Sequence, residues 1–253
     1  MKFINLPPTT DQQEKIINLL YQFRYLIVKQ FMKLLNHKDP RRIYEWLDDL
    51  VKSKYLAVIK DDAISSSRVY CLDTRAGYIL KKDEDIDTQV LGRLYKEKKN
   101  EAPFIKEQLF ICDIFLYFLS RKTKKQILNF FTSQELRGHT DFPEPLPSAY
   151  IEVIEGKETN RYFLEYFDEY TIHKVVRNRV QYYLDYCQGG DWQSNTDEPF
   201  PMVIFVLPTE KFKKHIQYYA KAIFEKNLGD DIDLYLIIKQ EFKTGKINWD
   251  RVK

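Results

Sequence analysis

Asp39-Pro40-Arg41-Arg42-Ile43-Tyr44-Glu45-Trp46-Leu47-Asp48-Asp49-Leu50-Val51-Lys52 is the stretch from which the fold reads outward. Asp39 can accept backbone hydrogen bonds as an N-cap. Pro40 then stands at the first helical position, where no backbone donor is needed. Ile43, Leu47, Leu50 and Val51 recur at helical spacing and make a buried stripe. Arg41, Arg42, Tyr44, Glu45 and Lys52 occupy the other faces.

Upstream, Thr10 can cap a helix carrying Ile16, Leu19, Leu20 and Phe23 at the same spacing. A second periodic run, 28–35, has Phe31, Leu34 and Leu35 on one side and ends in the polar turn Asn36-His37-Lys38. Downstream, 55–59 and 68–72 are short apolar segments separated by Lys60-Asp61-Asp62 and Ser65-Ser66-Ser67, the pattern of a two-stranded hairpin. Three helices followed by a hairpin is the order of a winged helix-turn-helix. In that arrangement Arg41, Arg42 and Tyr44 lie at the end of the third helix that faces the major groove, with Lys52 further along it. Lys60 and Arg68 flank the wing and would meet the DNA backbone. The competing reading is a solvated helix surface, and Glu45, Asp48 and Asp49 on the same helix interrupt any continuous basic stripe.

Charge agrees with a DNA-facing front. The 253 residues carry 40 Lys/Arg against 37 Asp/Glu, too balanced for indiscriminate coating of nucleic acid, so a basic surface must be local. Residues 1–82 hold 15 Lys/Arg against 9 Asp/Glu, and the remainder holds 25 against 28.

The polar run 81–106 reads as a helical linker, which puts the domain boundary near residue 100: a DNA-binding domain over 1–100 and a second domain over 101–253. Residues 110–119 are apolar nearly all round, the mark of a buried helix. Strands are expected at 126–131, 150–154 and 161–167, the last two joined by the turn Glu155-Gly156-Lys157-Glu158. A helix over 171–187 would bury Ile172, Val175, Val176, Val180, Tyr183 and Cys187. The strand 202–207, a helix over 209–227 and the strand 234–238 then imply a parallel, helix-covered part of the sheet. The class is therefore α+β with an α/β part. Its element order is also that of a restriction-endonuclease-like α/β/α core of the PD-(D/E)xK kind.

Several chemistries lack their residues. Three widely spaced cysteines and four histidines suggest neither a disulfide framework nor a zinc site, and they fit a reducing cytoplasm. His37, His139, His173 and His215 lie far apart in sequence. Gly189-Gly190 follows no strand, so a phosphate loop is not expected. The 18 tyrosines would suit a relaxase nucleophile only beside a histidine cluster, which the sequence does not offer. Residues 1–13 have no apolar core of signal type, and 109–119, interrupted by Asp113, is too short to span a membrane.

Six segments, taken in order, resemble the replication-relaxation family of plasmids and other conjugative elements. They are Arg24-Tyr25-Leu26 with Gln30-Phe31; Arg41-Arg42 through Leu47, Leu50 and Tyr55-Leu56; Leu72 with Thr74 and Gly77; Phe131-Thr132-Ser133-Gln134-Glu135-Leu136-Arg137; Phe163-Leu164-Glu165 followed by Thr171; and Tyr182-Tyr183 with Phe205-Val206-Leu207-Pro208-Thr209. The resemblance implies a winged helix joined to a nuclease-like domain. It implies duplex DNA as partner, together with a relaxase or replication initiator, and a second copy as a further candidate. The departures bear on catalysis. Pro147-Ser148 stands where the family has Pro-Asp, and Phe167 stands where an acid or the nuclease lysine is expected after Glu165. A nuclease of this kind needs converging carboxylates around a divalent cation. Glu165 alone is then a remnant, no metal or cofactor is expected, and Asp113, Asp141, Glu144 and Glu152 are the candidates for a relocated ligand. Asp113, inside an apolar helix, is expected to have a partner.

Overall fold

The computed structural model describes residues 6–83, 86, 88–227 and 232–252. The chain divides into two compact units, Met1–Cys112 and Asp113–Lys253, so the division falls beyond the expected boundary near residue 100.

In the first unit, α1 (Asp11–Phe23) starts at Thr10, whose hydroxyl accepts from Gln13 N while the Gln13 side chain accepts from Thr10 N, a reciprocal capping box. It buries Ile16, Ile17, Leu20 and Phe23. The helix stops at Arg24, held at a φ of 64°. The chain then enters β1 (Tyr25–Ile27), a strand too short to leave a period in the sequence. Next come α2 (Val28–Leu34) and α3 (Pro40–Lys52), the latter capped by the Asp39 carboxylate accepting from Arg41 N at 2.9 Å. Ile43, Leu47 and Leu50 are buried as their spacing requires. The expected hairpin is β2 (Leu56–Ile59) and β3 (Val69–Leu72), antiparallel with Leu56 opposite Leu72 and Ile59 opposite Val69. On its other edge β3 takes β1, Tyr25 opposite Cys71, which makes a three-stranded sheet in the order β1-β3-β2.

The run 81–106 is not a free linker. After α4 (Ala76–Leu80) come α5 (Thr88–Leu91) and a 3-10 turn, Leu94–Lys99, whose Leu94 and Glu97 are buried. Arg24 Nη2 lies 2.7 Å from Glu97 Oε1, Tyr25 Oη donates to the Glu97 carbonyl at 2.7 Å, and Asn100 Nδ2 donates to Tyr25 Oη at 2.6 Å. This polar run is one wall of the first unit's interior. Its charge masked that role in the sequence, because Glu97 is buried only by virtue of a partner 73 residues earlier.

The division between units lies within α6 (Ala102–Arg121). In the second unit, Phe115 of α6 packs edge-on against Phe130, and Phe118 packs against Tyr162. The helix buries Phe110, Ile111, Cys112, Ile114 and Leu116 as expected, while Leu119 and Asp113 are exposed, and Asp113 is not without a partner. The sheet runs β4 (Gln126–Thr132), β5 (Ala149–Glu155), β6 (Glu158–Tyr166), β7 (Met202–Leu207) and β8 (Leu234–Ile238), hydrogen-bonded in that order. The pairs β4-β5 and β5-β6 are antiparallel, and β6-β7 and β7-β8 are parallel. It is a mixed sheet in a mixed α+β chain, with the parallel part where the alternation of strand and helix implied it.

One sheet face is covered by α7 (His173–Gly189) and α9 (Glu210–Asn227). Val176, Val180, Tyr183 and Leu184 of α7 and Phe212, Ile216, Ala220 and Phe224 of α9 form a core with Phe163, Val203, Phe205 and Leu236 of the strands. Two short helices, α8 (Asp191–Thr196) and α10 (Lys239–Thr244), complete the unit. Because α7 begins at His173, Ile172 precedes it, and Val175 faces away from the Val176-Val180-Tyr183 stripe. Both were expected to be buried, and both are exposed. Among the described residues no helix is long and apolar enough to cross a membrane.

Candidate functional site

The Asp39 cap sets the first turn of α3, and with it the directions of Arg41, Arg42 and Tyr44, all three exposed. Lys52, Lys60 and Arg68 are exposed as well. The six residues singled out in the sequence are thus all available to a partner, but two are engaged by acids of the same unit. Arg42 Nη1 lies 2.6 Å from Glu45 Oε2, and the Arg42 guanidinium sits 5.4 Å from the Trp46 ring centre. Arg68 Nη1 lies 3.5 Å from Asp48 Oδ1. Exposed pairs of this kind contribute only about 0–1 kcal/mol, so a phosphate can displace the carboxylate at small cost.

The second candidate centre is Glu165. Register places it near the end of β6, beside Phe205 of β7. Ser148, one residue before β5, donates no ligand here: its Oγ accepts from Tyr166 N at 3.1 Å and serves the backbone. Phe167 is buried against Phe205, ring centres 5.0 Å apart. Glu165 itself is sealed in. Its Oε1 accepts from Arg179 Nε at 2.9 Å, from Arg179 Nη2 at 2.5 Å and from Tyr183 Oη at 2.6 Å. Arg179 Nη2 also donates to the Pro145 carbonyl at 2.7 Å, and its guanidinium lies over the rings of Tyr182 and Tyr183 at 4.9 and 4.7 Å.

Burial lifts the Glu165 carboxyl above its ordinary value, while Arg179 and the Tyr183 hydrogen bond oppose the lift. Burial works against the Arg179 charge, but Glu165 more than restores it. The Tyr183 phenol is pushed well up, first by burial and then by the neighbouring Glu165. All three donors fall on Oε1, and the adjacent guanidinium offsets the negative charge that would attract a metal.

Among the described residues, none of the proposed substitutes joins Glu165 in a group of three that could hold a metal ion. Asp113 is exposed on α6. Asp141 offers its backbone carbonyl to Tyr186 Oη at 2.9 Å. Glu152 accepts from Asn129 and Tyr150, both at 3.0 Å, and faces Arg161 at 3.6 Å. Glu144 lines an open pocket of about 410 Å³ with Tyr182, Asp185, Tyr186 and Asp191, and Glu165 takes no part in that lining. Among the described residues no three His, Cys, Asp or Glu side chains are grouped so as to hold a metal ion.

Tyr183 is buried as its spacing implied, but neither it nor Arg179 was legible as a partner of Glu165. One signal was there: a lone arginine falls among the apolar positions 176, 180, 183 and 184, where only a buried acid could compensate it. Sequence reading took the four histidines to be separate, whereas His173 of α7 and His215 of α9 have ring centres 4.3 Å apart.

No family model and no curated protein matches the sequence. Among solved structures, the chain is similar to the restriction endonuclease FokI, with 11% identity and a TM-score of 0.35, covering 97% of this chain and 49% of that one. A structure of FokI bound to DNA gives 11% identity and a TM-score of 0.30, covering 95% and 47%. The chain spans about half the length of these structures. At so loose a superposition the likeness specifies neither the fold nor the function of this chain.

Proposed function

We propose that this chain is a DNA-binding accessory protein of a plasmid or conjugative element, akin to the replication-relaxation family and without catalysis of its own. In this reading the first unit is a winged helix whose α3 enters the major groove of a duplex site, with the β2-β3 loop as the wing. The second unit is a nuclease-like fold turned to scaffolding, and the process served is replication control or assembly of a relaxosome with a relaxase or initiator.

The observation that carries the reading is the first unit's sequence of α1, β1, α2, α3, β2 and β3 with Arg41, Arg42 and Tyr44 exposed on the first turn of α3. The Arg179–Glu165 pair supports the non-catalytic half, because the acid that a nuclease would use is already neutralised.

The test is a gel-shift titration of the full chain against duplexes enriched by selection, at about 50 and 200 mM salt, across which phosphate-dependent affinity falls steeply. Arg42→Ala should weaken the selected site by roughly 1–3 kcal/mol and relax its sequence preference. Lys60→Ala should weaken all duplexes about equally. If neither the parent nor the variants bind duplex at low salt, or if both variants bind as the parent does, the recognition-helix assignment fails.

A further inference from the structure

The remainder beyond residue 82 carries more acid than base, yet its positive groups are not spread evenly. On α9, Lys211, Lys214, Tyr218 and Lys221 recur at helical spacing on the face turned away from the buried Phe212, Ile216, Ala220 and Phe224. All four are exposed, Tyr218 at 81%. At a rise of about 1.5 Å per residue, the three lysines mark out about 15 Å along the helix. The neighbouring α7 adds Lys174 and Arg177 near its start, and the guanidinium of Arg177 lies 5.4 Å from the Tyr219 ring centre of α9. Between the helices His173 stacks on Phe212 at 4.1 Å and meets His215. Tyr170, just before α7, is 70% exposed.

Two features separate this surface from an ordinary solvated face. Among the described residues, Lys174, Arg177, Lys211, Lys214 and Lys221 make no ion pair, whereas the buried Lys213 of the same helix is 2.9 Å from Asp250. Glu210 and Glu225 on α9 and Glu169 before α7 are the acids nearest in sequence, and they leave the stripe net positive. The second feature is aromatic. Tyr218, 81% exposed in the middle of the lysine row, leaves its ring face open for a base to stack on. A duplex keeps its base faces stacked inside and presents phosphates and base edges, whereas a single strand presents phosphates and free base faces together. A positive track interleaved with exposed aromatic rings is the arrangement that binds single strands.

We infer that the α7–α9 face of the second unit is a second nucleic-acid surface, and that its ligand is single-stranded DNA, with Lys211, Lys214 and Lys221 along the backbone and Tyr218 under a base. This site is separate from α3 and does not require that α3 read a duplex. The choice of DNA over RNA rests on the function proposed above.

The experiment uses the full chain and fluorescence anisotropy with labelled oligothymidylate, oligouridylate and a random duplex. Lys211→Glu with Lys214→Glu and Lys221→Glu should weaken oligothymidylate binding at least tenfold and leave duplex binding within about twofold. Tyr218→Ala should cost roughly five- to a hundredfold on the single strand, and Tyr218→Phe should restore most of it. Arg41→Ala with Arg42→Ala should leave the single strand unaffected. All the substituted side chains are exposed, and circular dichroism checks that each variant is folded. Failure of oligothymidylate to bind at low salt overturns the inference, as does parental binding by the triple charge reversal. Equal losses on duplex and single strand would make the stripe a general phosphate contact and also overturn it. Tighter binding of oligouridylate than oligothymidylate would overturn the assignment to DNA. Loss of duplex binding confined to the α3 variants bears on the proposed function and leaves this inference standing.

Discussion

Replacing Glu165 by alanine separates a structural ion pair from a relic metal site, because the two predict stability changes of opposite sign. In the intact protein one carboxylate oxygen receives three donors, two from Arg179 and one from Tyr183. Glu165 and Arg179 retain only 10% and 9% of their side-chain exposure. The truncation would leave the guanidinium buried with the Pro145 carbonyl, the Tyr183 hydroxyl and the two tyrosine rings as its remaining partners. Removing one member of a buried pair costs about 3–5 kcal/mol, since the surviving charge keeps its desolvation penalty. The ring contacts offset part of this, on the order of 1–2 kcal/mol. The expected net loss is therefore about 1–4 kcal/mol, or a Tm lower by roughly 3–15 °C for a unit of this size. Urea unfolding followed by circular dichroism and by the buried Trp192 would measure it. Adding Arg179→Met should recover more than about 1 kcal/mol of the loss, a coupling expected only of residues in direct contact. An acid kept for metal binding behaves otherwise: a strained, function-bearing carboxylate is usually replaced without loss of stability, or with a gain. A Glu165→Ala protein as stable as the parent would refute the structural assignment and return attention to Asp113, Asp141, Glu144 and Glu152.

Further expectations concern chemistry and pH. Purified protein with magnesium or manganese should leave supercoiled, linear and single-stranded DNA intact, because Ser148 serves a backbone amide and Phe167 packs in the core. Nicking with manganese that disappears in Glu165→Ala would contradict this. His173 is held below its ordinary value, first by burial and then by His215, Arg177 and Lys211 around it. The imidazole therefore gains its proton at a lower pH than an ordinary histidine would, so oligothymidylate binding should strengthen as pH falls through and below the histidine range. His173→Gln should flatten that dependence, and an unchanged slope would remove His173 from the surface.

How much was legible beforehand follows from which forces are local. The Asp39-Pro40 start of α3 and the Thr10 cap of α1 were readable because capping is a contact among residues three or four apart. So were the β2-β3 hairpin and the strands of the second unit, whose apolar runs and turns are contiguous. The parallel pairing of β6, β7 and β8 followed from alternation with helices. The Arg-rich first turn of α3 could be located, but not the pairing of Arg42 with Glu45 across one turn or of Arg68 with Asp48 from another element.

What tertiary structure alone decided are the places where charge and period mislead. The run 81–106 reads as a linker by composition, yet Glu97 finds Arg24 and becomes interior. Asp113 reads as a buried acid and faces outward. Glu165 reads as half of a metal site, and Arg179, fourteen residues on, turns it into half of an ion pair. The acidic balance beyond residue 82 conceals a basic face, because α7 and α9 lie side by side only after the sheet has gathered them, bringing His173 against His215. Local hydrogen bonding and hydrophobic period are written along the chain, so the sequence determined the elements. The cancellation or reinforcement of charge depends on distances of a few ångströms between residues remote in sequence, and only packing sets those distances.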